Sequence, residues 1–270
     1  MKWTLSVCIL IAAMLIVSER ILEKHFRDTH AQDLQLQTTR ELNTLTAELG
    51  SVINSNLSLL QGLAAHISIY PDINQSSFTS YAHALFRQQP LLVSIAAAPD
   101  FVVSLIYPLD ANRAVLGLDY TQTPDQWRGI EQLKRPGHTL MAGPVMLVQG
   151  GEGVIARTAV FTLDNQFWGI VSAPMYTADL YALAGLNNDA LNIDIAIRGR
   201  DGQGKDGEIF YGNPLLFDDT RSVLSSLSVG DGTWELAAQP QNGWHSNTIT
   251  IPILRGGTIV MLLLLLILTL

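Results

Sequence analysis

The sequence predicts an α+β protein in which one long N-terminal helix carries two successive units of antiparallel sheet. Three observations predict this fold class. Residues 19–66 contain no proline and have glycine only at Gly50 and Gly62, as a long helix requires. Beyond them, apolar runs of strand length alternate with Gly/Pro turns as far as Ala238. Strongly apolar stretches stand at both ends of the chain.

The composition indicates a protein with a sizeable core and an acidic balance. The chain has 270 residues, of which 48% are hydrophobic, and a formal net charge of −8. One or two globular units fit this length. The sequence offers no basic stripe to neutralise phosphates, so we expect no nucleic-acid partner. Cys8 is the only cysteine, which excludes an intrachain disulfide.

The two apolar ends predict transmembrane helices at residues 1–18 and 249–270. The first run is short for a span, which needs roughly 20 residues, so a cleaved signal peptide is the alternative. The second run contains Pro252 and Arg255 and then stays apolar to Leu270. Together they predict a hairpin topology with both ends in the cytoplasm, which Lys2 supports. We expect the protein to continue beyond Leu270 into a cytoplasmic effector.

Residues 19–70 predict a stalk helix with two apolar stripes. The first stripe follows the 3,4 spacing of a coiled-coil seam and predicts a homodimer through the stalk helix. The second stripe faces elsewhere, towards the chain's own domain. An ordinary amphipathic core helix is the alternative. The first stripe comprises Leu42, Leu45, Leu49, Val52, Asn56, Leu59 and Leu63, and the second comprises Ile53, Leu57, Leu60, Ala64 and Ile67.

The most informative stretch is residues 107–161. A short apolar run ends at Asp119, and Thr123-Pro124 then predicts the start of a short helix that ends near Arg135. Gly143-Pro144 separates two strand-like runs, and a glycine-rich turn predicts a hairpin before a returning strand. The unit is therefore a strand, a loop that starts with an acid, a short helix and antiparallel strands.

Five features of this stretch occur together in one known family. They are Gly117-Leu118-Asp119, the helix at 127–133, Gly143-Pro144, Gln149-Gly150-Gly151 and Ala159-Val160-Phe161. In this combination the stretch closely resembles the core of the CHASE domain. That domain is the extracytoplasmic sensor module of bacterial histidine kinases, diguanylate cyclases and plant cytokinin receptors. The resemblance is dense over residues 78–175 and thin on either side.

The resemblance implies two stacked PAS-like subdomains on the stalk helix, a membrane-distal one at residues 71–163 and a membrane-proximal one at residues 164–248. It also implies a receptor of the bacterial inner membrane whose sensor domain lies in the periplasm. A small-molecule ligand would control a cytoplasmic histidine kinase, or a diguanylate cyclase or phosphodiesterase of cyclic-di-GMP signalling. The alternative function is a membrane-anchored periplasmic module that binds a protein partner and no small molecule.

The residues themselves point to binding and not to catalysis. The six histidines are dispersed, without the spacing and companion ligands of a zinc site. Residues 201–207 lack the oxygen spacing and the terminal glutamate of a calcium loop. The sequence contains no nucleophile, kinase or cyclase motif. We therefore predict no enzymatic activity in this chain, no metal site and no cofactor.

Asp119 is the first candidate for a ligand-binding residue. A carboxylate at the end of an apolar strand needs solvent or a hydrogen-bond donor, so Asp119 either binds a ligand or caps the following turn. The resemblance favours the ligand, because the aspartate of the matching segment in plant cytokinin receptors bonds the ligand. It also implies that the backbone of Met141 faces the pocket. Tyr107, Phe161, Ile95 and Ala97 would form the wall, although each serves equally well as core.

Overall fold

The computed structural model describes residues 2–88, 91–244 and 250–269. It divides into a larger compact unit, Glu41–Gln239, and a smaller unit formed by the remaining described residues. Helix α1 (Lys2–Ile69) contributes to both units. Its length confirms the long N-terminal helix that the missing prolines predict.

Both apolar stripes of α1 are largely buried within the larger unit, and of their members only Val52 and Leu59 are half-buried. Of the seven positions assigned to a seam with a second chain, Leu42, Leu49 and Leu63 have no exposed surface. They share one core with the second stripe and with both sheets. The helix is therefore apolar over one wide face, and this face packs against its own domain. The packing supports the alternative of an amphipathic core helix for this part of α1.

The first sheet has five antiparallel strands. Along the sheet their order is β2, β1, β5, β4, β3. Helix α2 (Gln75–Phe86) covers its edge, where the Gln75 side chain donates to the Ile106 carbonyl and accepts from the Ile106 N–H. The strands are β1 (Ile95–Pro99), β2 (Leu105–Tyr107), β3 (Thr139–Met146), β4 (Glu152–Phe161) and β5 (Phe167–Tyr176).

The expected division at residue 163 cuts this first sheet. The turn closed by the bond from Thr162 N–H to the Gln166 carbonyl, 2.9 Å, returns the chain beside β4. Strand β5 then pairs with β4 on one side and β1 on the other. The first sheet therefore keeps residues as far as Tyr176, which we expected in the second subdomain.

The second sheet has four strands in the order β7, β6, β9, β8. Helix α4 (Thr177–Leu183) leads into it. The sheet lies against α1, where the Asn192 N–H donates to Glu41 Oε1 at 3.0 Å. The strands are β6 (Ile193–Arg198), β7 (Ile209–Gly212), β8 (Val223–Val229) and β9 (Gly232–Pro240).

The two faces of the first sheet have different coverings. The inner face packs against α1 in the larger core cluster. The outer face carries a second apolar cluster, formed with the segments between β2 and β3, which include helix α3 (Pro124–Glu131). The arrangement leaves a small pocket on the outer face, lined by both apolar and polar side chains.

The smaller unit contains the first part of α1 and helix α5 (Thr250–Thr269). Arg255 Nη2 donates to Glu23 Oε1 at 2.6 Å, and Arg27 binds the same carboxylate. Within the described ranges, no helix has the length and apolar content needed to cross a membrane. The transmembrane helices expected at 1–18 and 249–270 are therefore not confirmed. The expected boundary at residue 248 lies outside the described residues.

Candidate functional site

A small cavity of about 50 Å³ lies on the outer face of the first sheet. Strands β1, β4 and β5 form its floor. The segment before Tyr120 and the β3–β4 hairpin, which we define as residues 146–151, form its partly open walls. Its polar lining comprises Ser94, Tyr120, Gln149, Arg157 and Ser172, and its apolar lining comprises Ala96, Val115, Leu118, Met146, Leu147, Val148, Ile155 and Pro174.

Sheet register brings the polar floor of the cavity together. Arg157 of β4 pairs with Ser172 of β5, and Ser172 pairs with Ala96 of β1. Partners in an antiparallel pair point to the same face. The three side chains therefore stand in one row across the floor of the cavity.

Arg157 is the dominant charge of the cavity. Its side chain is buried, with 1% of the residue exposed, and the guanidinium carbon lies 5.3 Å from the centre of the Tyr120 ring. Burial lowers the pKa of Arg157, while Tyr120 and the carboxylate of Asp201 oppose this shift. An arginine remains protonated at neutral pH even so. The cavity therefore holds a positive charge in surroundings of low polarity.

Tyr120 positions its hydroxyl over the same row. The oxygen lies 3.4 Å from Ser172 Oγ, and the backbone N–H of Tyr120 donates to the Phe101 carbonyl at 3.1 Å. Tyr120 itself is buried. The cavity thus offers one guanidinium and two hydroxyl groups to a bound molecule.

The β3–β4 hairpin closes the cavity through Gln149. Its Nε2 atom donates to Asn112 Oδ1 at 2.9 Å and to Ser94 Oγ at 3.3 Å. Gly150 takes a left-handed conformation, with φ of 88°, in the turn. The hairpin is therefore held over the cavity by side-chain hydrogen bonds to two other segments.

Asp119 caps a turn. Its Oδ1 atom accepts from Thr121 Oγ1 at 2.7 Å and from the Thr121 N–H at 2.9 Å. The hydrogen bond from the Thr121 hydroxyl, and to a lesser extent that from the Thr121 N–H, lower the pKa of Asp119. Leu118 and Tyr120 line the cavity on either side of it, but Asp119 does not. The cap that we considered as an alternative is present, and a ligand contact from Asp119 stays a prediction.

The other five predicted site residues lie away from the cavity. Ile95, Ala97 and Met141 belong to the inner face and its core with α1. Tyr107 packs against the same cluster, with its ring 5.3 Å from that of Phe86. Phe161 lies with the outer-face cluster and packs edge-on against Phe167 at 5.4 Å. The structure therefore does not bring the six candidates together.

Sequence reasoning missed the residues that do converge. Arg157 was the available signal, because a charged residue within the apolar strand GVIARTAVF is costly to bury without a purpose. Ser172, in the equally apolar β5, carries a weaker form of the same signal. Gln149 belonged to the Gln-Gly-Gly motif, but its side-chain contacts were not predictable.

A second, larger depression is an open groove of about 880 Å³ between the end of α1 and α2. The stacked rings of His66 and Tyr81, 4.3 Å apart, lie in its wall. As for metals, the described part of the chain contains no group of three or more His, Cys, Asp or Glu side chains able to hold an ion.

The sequence matches the model of the CHASE domain family over residues 65–211, more than half of the 270-residue chain. No curated protein matches it significantly. The matched segment contains the complete cavity lining and the first sheet.

Solved structures of extracellular sensor domains share the fold. An extracellular ligand-binding receptor from Desulfohalobium retbaense is 15% identical with a TM-score of 0.59; the match covers 75% of this chain and 40% of the receptor chain. The ligand-binding domain of the Campylobacter jejuni chemoreceptor Tlp3, in complex with L-valine, is 10% identical with a TM-score of 0.57, covering 80% and 96%. That of the Pseudomonas fluorescens chemoreceptor CtaA, in complex with L-leucine, is 12% identical with a TM-score of 0.56, covering 81% and 98%.

Proposed function

We propose that this chain, which belongs to the CHASE domain family, is the ligand-sensing part of a transmembrane signalling receptor. A small molecule would bind in the cavity on the outer face of the first sheet. The observation that carries this proposal is the convergence of Arg157, Tyr120 and Ser172 on one partly open cavity. Most ligand sites have this composition, a largely apolar wall with a few polar groups that fix orientation.

The contacts of β3 support a route from the cavity to the second sheet. Met146 and Leu147, at the end of β3 and just beyond it, line the cavity. Along the same strand, the Gly143 N–H donates to Asp201 Oδ1 at 2.6 Å. A ligand that moves the β3–β4 hairpin would thereby act on the second sheet. The ligand can shift the equilibrium between two positions of the hairpin only by the difference in its affinity for them.

The same proposal includes anchoring of the receptor in the bacterial inner membrane, with the sensor in the periplasm. The output would be a cytoplasmic histidine kinase, diguanylate cyclase or phosphodiesterase.

We also propose that two chains pair through the stalk helix. The exposed side chains of Leu22, Phe26 and Leu36 support contact before Leu42. Light scattering measures the pairing of two chains directly, and cell fractionation measures the membrane location.

A thermal-shift screen of the purified chain against metabolites tests ligand binding. We expect at least one compound to stabilise the protein in a saturable manner, by about 2.7 kcal/mol at a hundredfold excess over the dissociation constant. Replacement of Arg157 by methionine should abolish that effect. If the chain is folded but no compound stabilises it, the result would contradict small-molecule sensing and favour the alternative function.

That alternative is a module that binds a protein partner. The open groove between α1 and α2 favours it, because the groove presents aromatic side chains, including Tyr70 and Tyr81, to solvent. Tyrosine is enriched in protein interfaces. Substitutions in this groove, and not in the cavity, would then remove the response to the partner.

A further inference from the structure

We propose that the cavity beside Arg157 binds the carboxylate of a short monocarboxylic acid. This inference rests on the proposed function, since it names the class of compound that the sensor takes. Three properties of the cavity lead to it: its charge, the chemistry of the remaining lining and its volume. Each of them excludes a different group of compounds.

The charge selects an anion. Arg157 is buried and lines the cavity together with apolar side chains such as Val115 and Ile155. Opposite charges attract more strongly in such surroundings than in water. A planar guanidinium also matches the two oxygens of a carboxylate, to which it can donate two parallel hydrogen bonds. The Tyr120 and Ser172 hydroxyl groups, 3.4 Å apart, supply further donors beside it.

The remaining lining disfavours an amino acid. Among the described residues that line the cavity, none is acidic. The ammonium group of an amino acid would meet only neutral acceptors such as Ser94 and Gln149, and it would lose its hydration without a compensating charge. A carboxylate with an uncharged, apolar tail has no such cost. The L-valine and L-leucine in the neighbouring structures therefore differ in class from the compound expected here.

The volume limits the length of the tail. A buried water molecule needs roughly 10–15 Å³ of cavity measured in this way, so the cavity of about 50 Å³ holds about three to five water-sized groups. Acetate and propionate have this size. Short acids should therefore bind without a change in the hydrogen bonds of Gln149.

Calorimetric titration of the purified 270-residue chain with three compounds of equal carbon count tests the proposal. Propionate carries the charge, propionamide is its neutral isostere, and alanine adds the ammonium group. We expect propionate to bind at least about 10-fold more tightly than either of the others, since a hydrogen bond to a charged group is worth roughly 10- to 100-fold in affinity. Equal or tighter binding of propionamide or alanine, or no binding of propionate, overturns the proposal.

Two substitutions assign the effect to Arg157. Arg157→Met removes the charge but keeps an unbranched apolar stem, and it should weaken propionate binding by roughly 10- to 100-fold. Arg157→Lys keeps the charge but cannot form the bidentate pair of hydrogen bonds. Its affinity for propionate should lie between those of the unaltered chain and of Arg157→Met. Arg135→Met, at an exposed position outside the cavity, is the matched control and should bind normally. If Arg157→Met binds propionate as the unaltered chain does, the proposal is wrong.

The comparison of propionate with propionamide needs no variant, so it remains decisive even if Arg157→Met does not fold. Failure of this inference is also distinct from failure of the proposed function. A compound without a carboxylate that binds in an Arg157-dependent manner would leave the sensor intact and refute the ligand class. If no compound binds, both the ligand class and the proposed sensor function are refuted.

Discussion

Thr139 and Asp231, which are 92 residues apart in the sequence, exchange two hydrogen bonds between the two sheets. The Thr139 N–H donates to Asp231 Oδ2 at 3.0 Å, and the Asp231 N–H donates to the Thr139 carbonyl at 2.9 Å. His138 Nδ1 lies 2.6 Å from the same carboxylate oxygen. The start of β3 is thereby tied to the β8–β9 turn. This junction and the Gly143–Asp201 bond connect the cavity-bearing sheet to the second sheet.

Substitution Asp231→Ala should destabilise the protein by about 1–3 kcal/mol, because it leaves the Thr139 N–H without its acceptor. Chemical denaturation measures this change. Asp206→Ala, at another exposed aspartate, between β6 and β7, is the control and should have almost no effect. Equal stability of the two variants would show that the junction contributes nothing to the fold.

The close approach at Gly230 provides a second test of the junction. Gly230 has φ of 65°, and a Cβ atom there would lie 2.5 Å from the Thr139 carbonyl oxygen. Gly150 has a comparable φ of 88° but open space around it. Gly150→Ala should therefore cost about 1–2 kcal/mol for the left-handed backbone. Gly230→Ala should cost about 1–3 kcal/mol more, because the carbonyl must also move.

Thermal melting of these two glycine variants separates the backbone effect from the contact. A domain of this size loses about 2–4 °C in Tm for each kcal/mol. If Gly150→Ala and Gly230→Ala melted at the same temperature, the two sheets would not be in contact at this point in solution.

Asp119 can be tested for its two roles separately. Asparagine can cap a turn but carries no charge. Alanine can neither cap the turn nor carry a charge. If the side chain acts as a cap, Asp119→Asn should melt close to the unaltered protein and Asp119→Ala well below it. If the carboxylate binds a ligand, Asp119→Asn should lose the response while its melting temperature is retained.

The Asp119 carboxylate also predicts a pH dependence. The Thr121 hydrogen bonds place the folded-state pKa of Asp119 below its usual value. The stabilisation is therefore complete above the unfolded-state pKa, near 4, and is lost as the pH falls through the folded-state pKa. Melting curves at several pH values should show this loss in the unaltered protein. The Asp119→Asn variant should lack this component, and an identical acid profile for both would contradict the assignment.

Gln149 should control the opening of the hairpin at residues 146–151. Gln149→Ala removes the hydrogen bonds to Asn112 and Ser94. A net loss of about 1 kcal/mol should raise amide exchange in the hairpin by roughly 5-fold. Gln132→Ala, at an exposed residue next to α3, is the control. Unchanged exchange in Gln149→Ala would mean that other contacts hold the hairpin closed.

Composition, periodicity and local turns predict the α+β class, the long helix and most strands. The CHASE domain family follows instead from the resemblance of the motifs in residues 107–161, which the family match confirms. Helix α3 illustrates the local signals, since it begins at Pro124, where Thr123-Pro124 predicts a helix start. The face of β1 was not predictable. In Ile95-Ala96-Ala97-Ala98 every residue is apolar, so alternation cannot tell inside from outside, and the register with β5 decides. Of the residues in β1, the predicted Ile95 and Ala97 therefore lie in the core with α1, and Ala96 lines the cavity.

The second limit of the sequence concerns partners of α1. Two apolar stripes on a helix are equally compatible with one wide buried face and with two separate contacts. Only the tertiary fold shows that Leu42, Leu49 and Ile53 enter one core. The cavity depends on tertiary structure in the same way, because Tyr120 and Gln149 reach Arg157 and Ser94 from segments distant along the chain.

Hydrogen–deuterium exchange of the chain, with and without the compound that gives the largest thermal shift, tests the central claim most directly. We expect protection in residues 94–96, 115–120 and 146–149, which surround the cavity, and a smaller change at the junction of Thr139 with Asp231. Protection confined to residues 66–84 of the open groove, or no protection in a protein that binds the compound, would contradict a ligand site at Arg157.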